Sequence, residues 1–276
     1  MRRDVLRRQA IQFVFVLVVL FVAIAVVIGV GTALWPVSPE VLEAGSPKKE
    51  YSISEKTDVI DVFAKEQGLS RMDWPQELVD LLARNRDTEE FVLNYPLKKD
   101  IAYEIDLTEC LNGETVPLFY QWDERWGYTI YGSNVMGLTG CGPTCLSMVL
   151  VHLLQDATYT PRYVADFAEK NRYYVEGSGS KWTLISEGGK TLGLDVTELP
   201  LDENRMKKHL EQGNPIICIM GPGDFTTAGH YIVLRGIQDG SFVVNDPNSK
   251  INSERLWSYE ELQGQIKNLW ACRKPE

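Results

Sequence analysis

The chain has 276 residues, 44% of them hydrophobic, and a formal net charge of −10. That length holds one or two domains with a buried core, and the hydrophobic share is ordinary for a globular protein. The acidic balance argues against a nucleic-acid partner, which needs clustered Lys and Arg, and five irregularly spaced cysteines are too few for a disulfide framework.

The first nine residues carry four arginines and one aspartate, so the remainder holds −13 of the total charge. From Ala10 to Trp35 there is no charged residue. As a helix that run would extend about 39 Å, enough to cross a hydrocarbon core of roughly 30 Å with tilt. Signal peptides have shorter apolar regions, roughly 7–15 residues, although Gly31-Thr32-Ala33 leaves a cleavage site open as the alternative. The arginines ahead of the run place residues 1–9 in the cytoplasm by the positive-inside rule. The expectation is therefore a single-pass signal anchor over 10–35 in the cell membrane, with everything beyond it extracytoplasmic.

Residues 36–50 have no periodic apolar pattern and read as a linker. Over 51–110 the signals are those of a small helical extension. A helical stretch falls near Glu55–Phe63, Pro75 opens a helix carrying Leu78, Val79, Leu81 and Leu82 on one face, and Asp87-Thr88-Glu89-Glu90 has a capping-box pattern. These segments hold too few apolar residues for a core of their own and are expected to pack on the domain that begins at residue 111.

From 111 to the C-terminus the pattern changes. Val116–Gln121 reads as an extended entry segment. Cys141 to about Gln155 is apolar nearly all round, a buried helix. Thr160-Pro161 opens another, with N-cap and N1 residues in the favoured order. Ser178-Gly179-Ser180 and Gly188-Gly189 bracket a further helix, and Asp202–Gln212 reads as one more. Strands then dominate, at Pro215–Met220, His230–Leu234 and Ser241–Val244, with a hairpin signal at Gln238-Asp239-Gly240. Helices first and an antiparallel sheet after them define an α+β fold.

The chemistry concentrates at Gly140-Cys141-Gly142-Pro143-Thr144-Cys145. A cysteine on a Gly/Pro-rich turn that opens an apolar helix meets free backbone N–H groups and the positive end of the helix dipole, both of which favour thiolate. Downstream come Gly229-His230-Tyr231 at a strand and Asn245-Asp246-Pro247 at the end of the next. Cys141, His230 and Asp246 read as nucleophile, general base and orienting carboxylate. Plainer readings compete. Cys141 would also serve as a structural thiol, and Asp246-Pro247 as a simple strand-ending turn. Cys145, one helical turn on, reads as core, His152 and His209 as structural or surface residues, and Trp122 and Trp126 as packing residues. Asp224-Phe225-Thr226-Thr227 is placed along the cleft before His230. Cys110 and Cys272, near the two ends of the domain, leave one disulfide pairing open.

Pro117-Leu118-Phe119-Tyr120-Gln121-Trp122-Asp123, Gly140–Thr144, Gly229–Leu234 and Asp246-Pro247-Asn248-Ser249 together resemble the bacterial papain-fold cysteine peptidases related to the double-glycine-leader (bacteriocin-processing) peptidases. The resemblance covers roughly Asp87 to the C-terminus, including Glu90-Phe91-Val92, which is similar to membrane-anchored members. It implies a papain-like catalytic domain over 111–276 and an acyl-enzyme (thioester) route through Cys141, His230 and Asp246. It also implies that Gln121 donates to the oxyanion, although here it precedes Cys141 by 20 residues, with an inserted loop between. Its implied partner is a peptide or protein substrate, with no metal or organic cofactor. A papain-fold amidase or transferase acting on cell-wall peptides, and a non-catalytic peptide-binding module, are the alternatives.

Overall fold

A computed structural model describes residues 53–275, so the expected anchor and linker lie outside the described residues. None of the described helices is long and apolar enough to cross a membrane. The described chain begins with three helices, α1 (Ile53–Gln67), α2 (Gln76–Arg84) and α3 (Glu89–Lys98). Pro75 takes the N-cap position of α2, and the four leucine and valine positions read from its sequence are all buried. The capping-box reading at Asp87 is corrected. Asn85 caps the short 3-10 turn Arg86–Thr88 by accepting from Asp87 N–H, and Thr88 makes no side-chain cap to α3. The Asp87 carboxylate instead accepts from Lys250 N–H, 163 residues away. A long-range partner is invisible to a local motif.

The helices share one apolar cluster. Ile60, Trp74, Leu78, Leu82, Phe91 and Val92 pack together with Tyr128 and Val135 from the inserted loop. That loop folds as a helical turn (Glu124–Gly127), a two-stranded hairpin of β1 (Ile130–Tyr131) and β2 (Asn134–Val135), and a second turn (Met136–Thr139). The Phe91 ring stacks on Tyr128 at 4.5 Å and lies so close to Gly127 and Gly137 that a Cβ at either would stand 2.7 or 2.4 Å from it.

The central helix α4 runs Cys141–Leu154 and ends where Gln155 turns left-handed at φ 54°. Helix α5 (Pro161–Lys170) starts as read, with the Thr160 hydroxyl accepting from Tyr163 N–H. The next segment departs from expectation. Ser178-Gly179-Ser180 belongs to a hairpin of β3 (Tyr174–Val175) and β4 (Gly179–Ser180). Gly188 and Gly189 do not end the helix after it: a π-turn over Leu184–Gly188 continues into Gly189–Thr191. Those glycines serve close packing, since a Cβ on Gly189 would stand 3.0 Å from Val196 and one on Gly188 3.3 Å from Leu184, Phe167 and Tyr173.

Helix α6 (Glu203–Glu211) is capped by Asp202. The main sheet is antiparallel, in the order β5 (Asp195–Glu198), β10 (Ile266–Arg273), β6 (Ile216–Met220), β7 (His230–Gln238), β8 (Ser241–Asn245), β9 (Leu256–Trp257). Alternation along β6 explains its unbroken apolar run. Ile217 and Ile219 pack with Tyr231, Val233 and Trp270 against α4, while Ile216, Cys218 and Met220 pack with Ile232, Leu234 and the α6 residues Met206 and Leu210. The sheet is thus buried on both faces between helical layers. Asp239 and Gly240 both adopt positive φ, 51° and 78°, in the β7–β8 hairpin, the conformation such a tight turn needs. All five cysteines are free, so Cys110 and Cys272 do not pair.

Candidate active site

Gly140 is the N-cap residue of α4 and Cys141 its first helical residue. The turn before it is tight enough to require glycine at 140, where a Cβ would lie 2.7 Å from the Met136 carbonyl. Gly142 is required for a different reason: a Cβ there would lie 2.6 Å from the Ser180 hydroxyl. The β3–β4 hairpin therefore lies directly against the helix start. Ser180 is held in turn by the Tyr131 hydroxyl at 2.7 Å.

His230 opens β7, opposite Met220, and Asp246 follows the last residue of β8, where Asn245 pairs with Val233. This register brings the two side chains together, with His230 Nε2 2.7 Å from Asp246 Oδ1. Both are buried. The carboxylate has two further donors, Asn248 N–H to Oδ1 at 2.8 Å and Asn252 Nδ2 to Oδ2 at 2.7 Å. Asn245 turns its amide the other way, donating to the carbonyls of Val116 and Pro117 at 3.2 and 3.0 Å and so tying the entry segment to the sheet.

With Nε2 engaged by Asp246, the other ring nitrogen of His230 is left for the thiol. Burial pushes the Cys141 thiol up, but the hydrogen bond and positive charge of His230, with the Tyr231 and Gly142 N–H groups, reverse this and hold it below the ordinary thiol value. Burial likewise pushes His230 down, and the charge and hydrogen bond of Asp246, helped by Cys141, raise it to about 10. The two shifts favour one state, thiolate beside imidazolium, which is the form in which a cysteine is a ready nucleophile. Cys145 is the contrast. It is wholly buried, and burial followed by the negative charges of Cys141 and Asp246 drives its thiol far up.

Gln121 is buried beside this group. Its backbone N–H donates to the carbonyl of Pro247, next to Asp246, at 2.8 Å, and its Nε2 donates to the carbonyl of Gly137, in the turn before Cys141, at 2.9 Å. One N–H of the amide is committed there, and Oε1 has no partner among the described residues. The inserted loop thus returns the chain from Gln121 to the thiol and supplies the carbonyl that orients the Gln121 side chain.

A cleft of about 330 Å³ opens over Cys141 and His230. Its walls are the β3–β4 hairpin and its exit on one side (Val175, Ser178–Trp182), and Ile219–Pro222 with Ala228 and Gly229 on the other. Among the described residues, Lys181 and Lys267 are its only charged walls apart from the histidine. The placement of Asp224–Thr227 along the cleft is corrected. Phe225 turns inward onto Trp257 at 4.3 Å, and Asp224 is bound to Gln265. Trp126 is buried with its Nε1 on the Tyr120 carbonyl, and Trp122 stacks on Tyr120. His152 is half-buried near the end of α4, and His209 half-buried on α6. Neither lines the cleft. Among the described residues no group of three or more His, Cys, Asp or Glu side chains is arranged to hold a metal ion.

Sequence reasoning assigns no role to Asn248, Asn252 or Ser180. Asn248 carries a signal, since it follows Asp246-Pro247 directly. Asn252 and Ser180 carry none, because their roles arise only from folding.

A thiol on a helix start, facing a histidine–carboxylate pair on an antiparallel sheet, defines the papain-like class of α+β cysteine hydrolases. Residues 114–275 match the model of the Peptidase_C39 like family, more than half of the chain, and the chain belongs to that family of cysteine peptidases. Among solved structures it is similar to the peptidase domain of Streptococcus ComA, a bi-functional ABC transporter involved in a quorum-sensing pathway. That match has 21% identity and a TM-score of 0.39, covering 50% of this chain and 93% of the other. It is also similar to a Bacillus anthracis protein designated a C39-like peptidase, at 17% identity and a TM-score of 0.36, covering 63% of this chain and 99% of that one. No curated protein matches it.

Proposed function

We propose that this cysteine peptidase is membrane-anchored and extracytoplasmic, and that it hydrolyses peptide bonds with Cys141 as nucleophile, His230 as general base and acid, and Asp246 as the carboxylate that orients the imidazole. The observation that carries the reading is the buried 2.7 Å His230–Asp246 contact beside a thiol held below its ordinary pKa. Cys141 Sγ attacks the scissile carbonyl carbon, forming a C–S bond while the carbonyl π electrons pass to oxygen. The oxyanion is met by the Cys141 N–H and by the uncommitted N–H of Gln121 Nε2. Collapse breaks the C–N bond, and the amine leaves with a proton from His230. Water, deprotonated by His230, then attacks the thioester, and collapse breaks the C–S bond, releasing the carboxylic acid and restoring the thiolate beside the imidazolium.

The anchor rests on the uncharged run Ala10–Trp35 behind four arginines, and the orientation on the positive-inside rule. The test has two parts. Full-length protein is incubated with peptide mixtures, and products are sequenced by mass spectrometry beside the Cys141→Ala variant. New α-peptide termini that depend on Cys141 support the peptidase. Cys141-dependent products joined to an added amine, or cleaved only at side-chain amides, replace it with a transferase or amidase, and binding without any product leaves a peptide-binding module. Protease added outside intact cells digests residues beyond 50 if the orientation is right and spares them if it is not.

A further inference from the structure

The turn that carries the carboxylate is gripped from outside the family region. The family match starts at residue 114, yet Asn85, between α2 and α3, donates through Nδ2 to the Asn248 carbonyl and, at 3.3 Å, to Asn248 Oδ1. Asn248 N–H donates at 2.8 Å to Asp246 Oδ1, the same oxygen that meets His230. Two residues further along, Asp87 Oδ2 accepts from Lys250 N–H at 2.9 Å. Asn85 is a buried polar side chain, and its own Oδ1 is fixed by Asp87 N–H at 3.1 Å, so its amide group has one orientation. The Trp122 indole N–H reaches the Asn248 carbonyl as well, at a longer 3.4 Å.

We propose that the helical extension is a clamp on the proposed catalytic carboxylate, with Asn85 and Asp87 as positioning residues acting through Asn248 and Lys250. This rests on Cys141, His230 and Asp246 being the reacting groups. A buried amide donating to a carbonyl one residue from a proline turn fixes that turn more strictly than apolar packing does, because hydrogen bonds are directional. Release of the turn lets the carboxylate swing off His230 Nε2. The imidazolium then loses its counter-charge and the thiolate loses the imidazolium.

The test is the pH dependence of Cys141 alkylation by iodoacetamide in the full-length chain, with thermal unfolding followed in parallel. Asn85→Ser keeps an oxygen able to cap the 3-10 turn but has no amide to reach Asn248. Asp87→Ala removes the second contact, and loss of its negative charge alone would lower the thiol pKa rather than raise it. Both variants are expected to move the acid limb of alkylation up by half a unit or more, which is about threefold less thiolate below that limb. Trp74→Phe, which removes the buried indole bond to the Val92 carbonyl in the same extension, is expected to lower the unfolding temperature and leave the limb in place. Unmoved limbs in Asn85→Ser and Asp87→Ala, with a wild-type limb below the ordinary thiol range, overturn the clamp alone. An ordinary thiol in the wild type overturns the site assignment beneath it.

Discussion

Cys141 and His230 titrate as a pair, so the pH profile belongs to both. The reactive state needs thiolate and imidazolium together. In acid, activity falls as the thiolate takes a proton, and that limb lies below the ordinary thiol range because Cys141 is lowered. In alkali, activity falls as His230 loses its proton, and that limb lies well above the ordinary histidine range because the charge and hydrogen bond of Asp246 raise it. The expected kcat/KM profile is thus a broad plateau across neutral pH, measured on any peptide found to be cleaved. Asp246→Asn is expected to lower kcat by up to about 10⁴-fold, the cost of losing a carboxylate that orients a catalytic histidine, and to bring the alkaline limb down, since the charge that raises His230 is gone. Gly142→Ala tests the cleft wall. Its new methyl would meet Ser180 at 2.6 Å, so a loss of about 1–3 kcal/mol in urea unfolding should accompany slower turnover as the β3–β4 hairpin is displaced. The three proposed reacting groups each sit on a local signature that the sequence shows, a Gly/Pro turn at a helix start or a polar residue at a strand end. Asn85 could not, because it looks locally like a turn residue and its second task is 163 residues away.

Among the elements, α4, α5 and α6 could be read because each has a strong start signal or an apolar surface all round. The Thr160 cap offers a control remote from the chemistry: Thr160→Ala should cost about 1 kcal/mol of stability in urea unfolding and leave the pH profile unchanged. Strand β10 was not legible, although it lies between β5 and β6 in the sheet. Its sequence begins Ile266-Lys267-Asn268, and the register shifts between Ile266 and Asn268, so the alternation that marks a strand is broken where it begins. Strand β5 was hidden differently. Asp195-Val196-Thr197-Glu198 has one buried apolar residue, and its pairing to β10 comes from the partner rather than from its own composition. The β3–β4 hairpin consists of two-residue strands, too short for any periodicity, yet it forms one wall of the cleft.

Across the whole molecule, the three N-terminal helices and the papain-like region share an apolar cluster, with Phe91 seated on Gly137 and stacked on Tyr128. A fragment starting at Gly113 would expose that surface, and size-exclusion chromatography should find it aggregated or misfolded while the full-length chain runs as a discrete species. Through Phe91 the same cluster reaches Gly137 in the turn before Cys141. Whether Cys141 is a nucleophile activated by His230 is decided by the rate of iodoacetamide labelling against pH, read residue by residue by mass spectrometry, in wild type and His230→Ala. Activation by His230 makes Cys141 label in the wild type with an apparent pKa clearly below the free-thiol value of about 8.5. His230→Ala then abolishes this, and Cys145 stays unlabelled in both proteins. An ordinary titration of Cys141, or faster labelling of Cys145, would overturn the assignment.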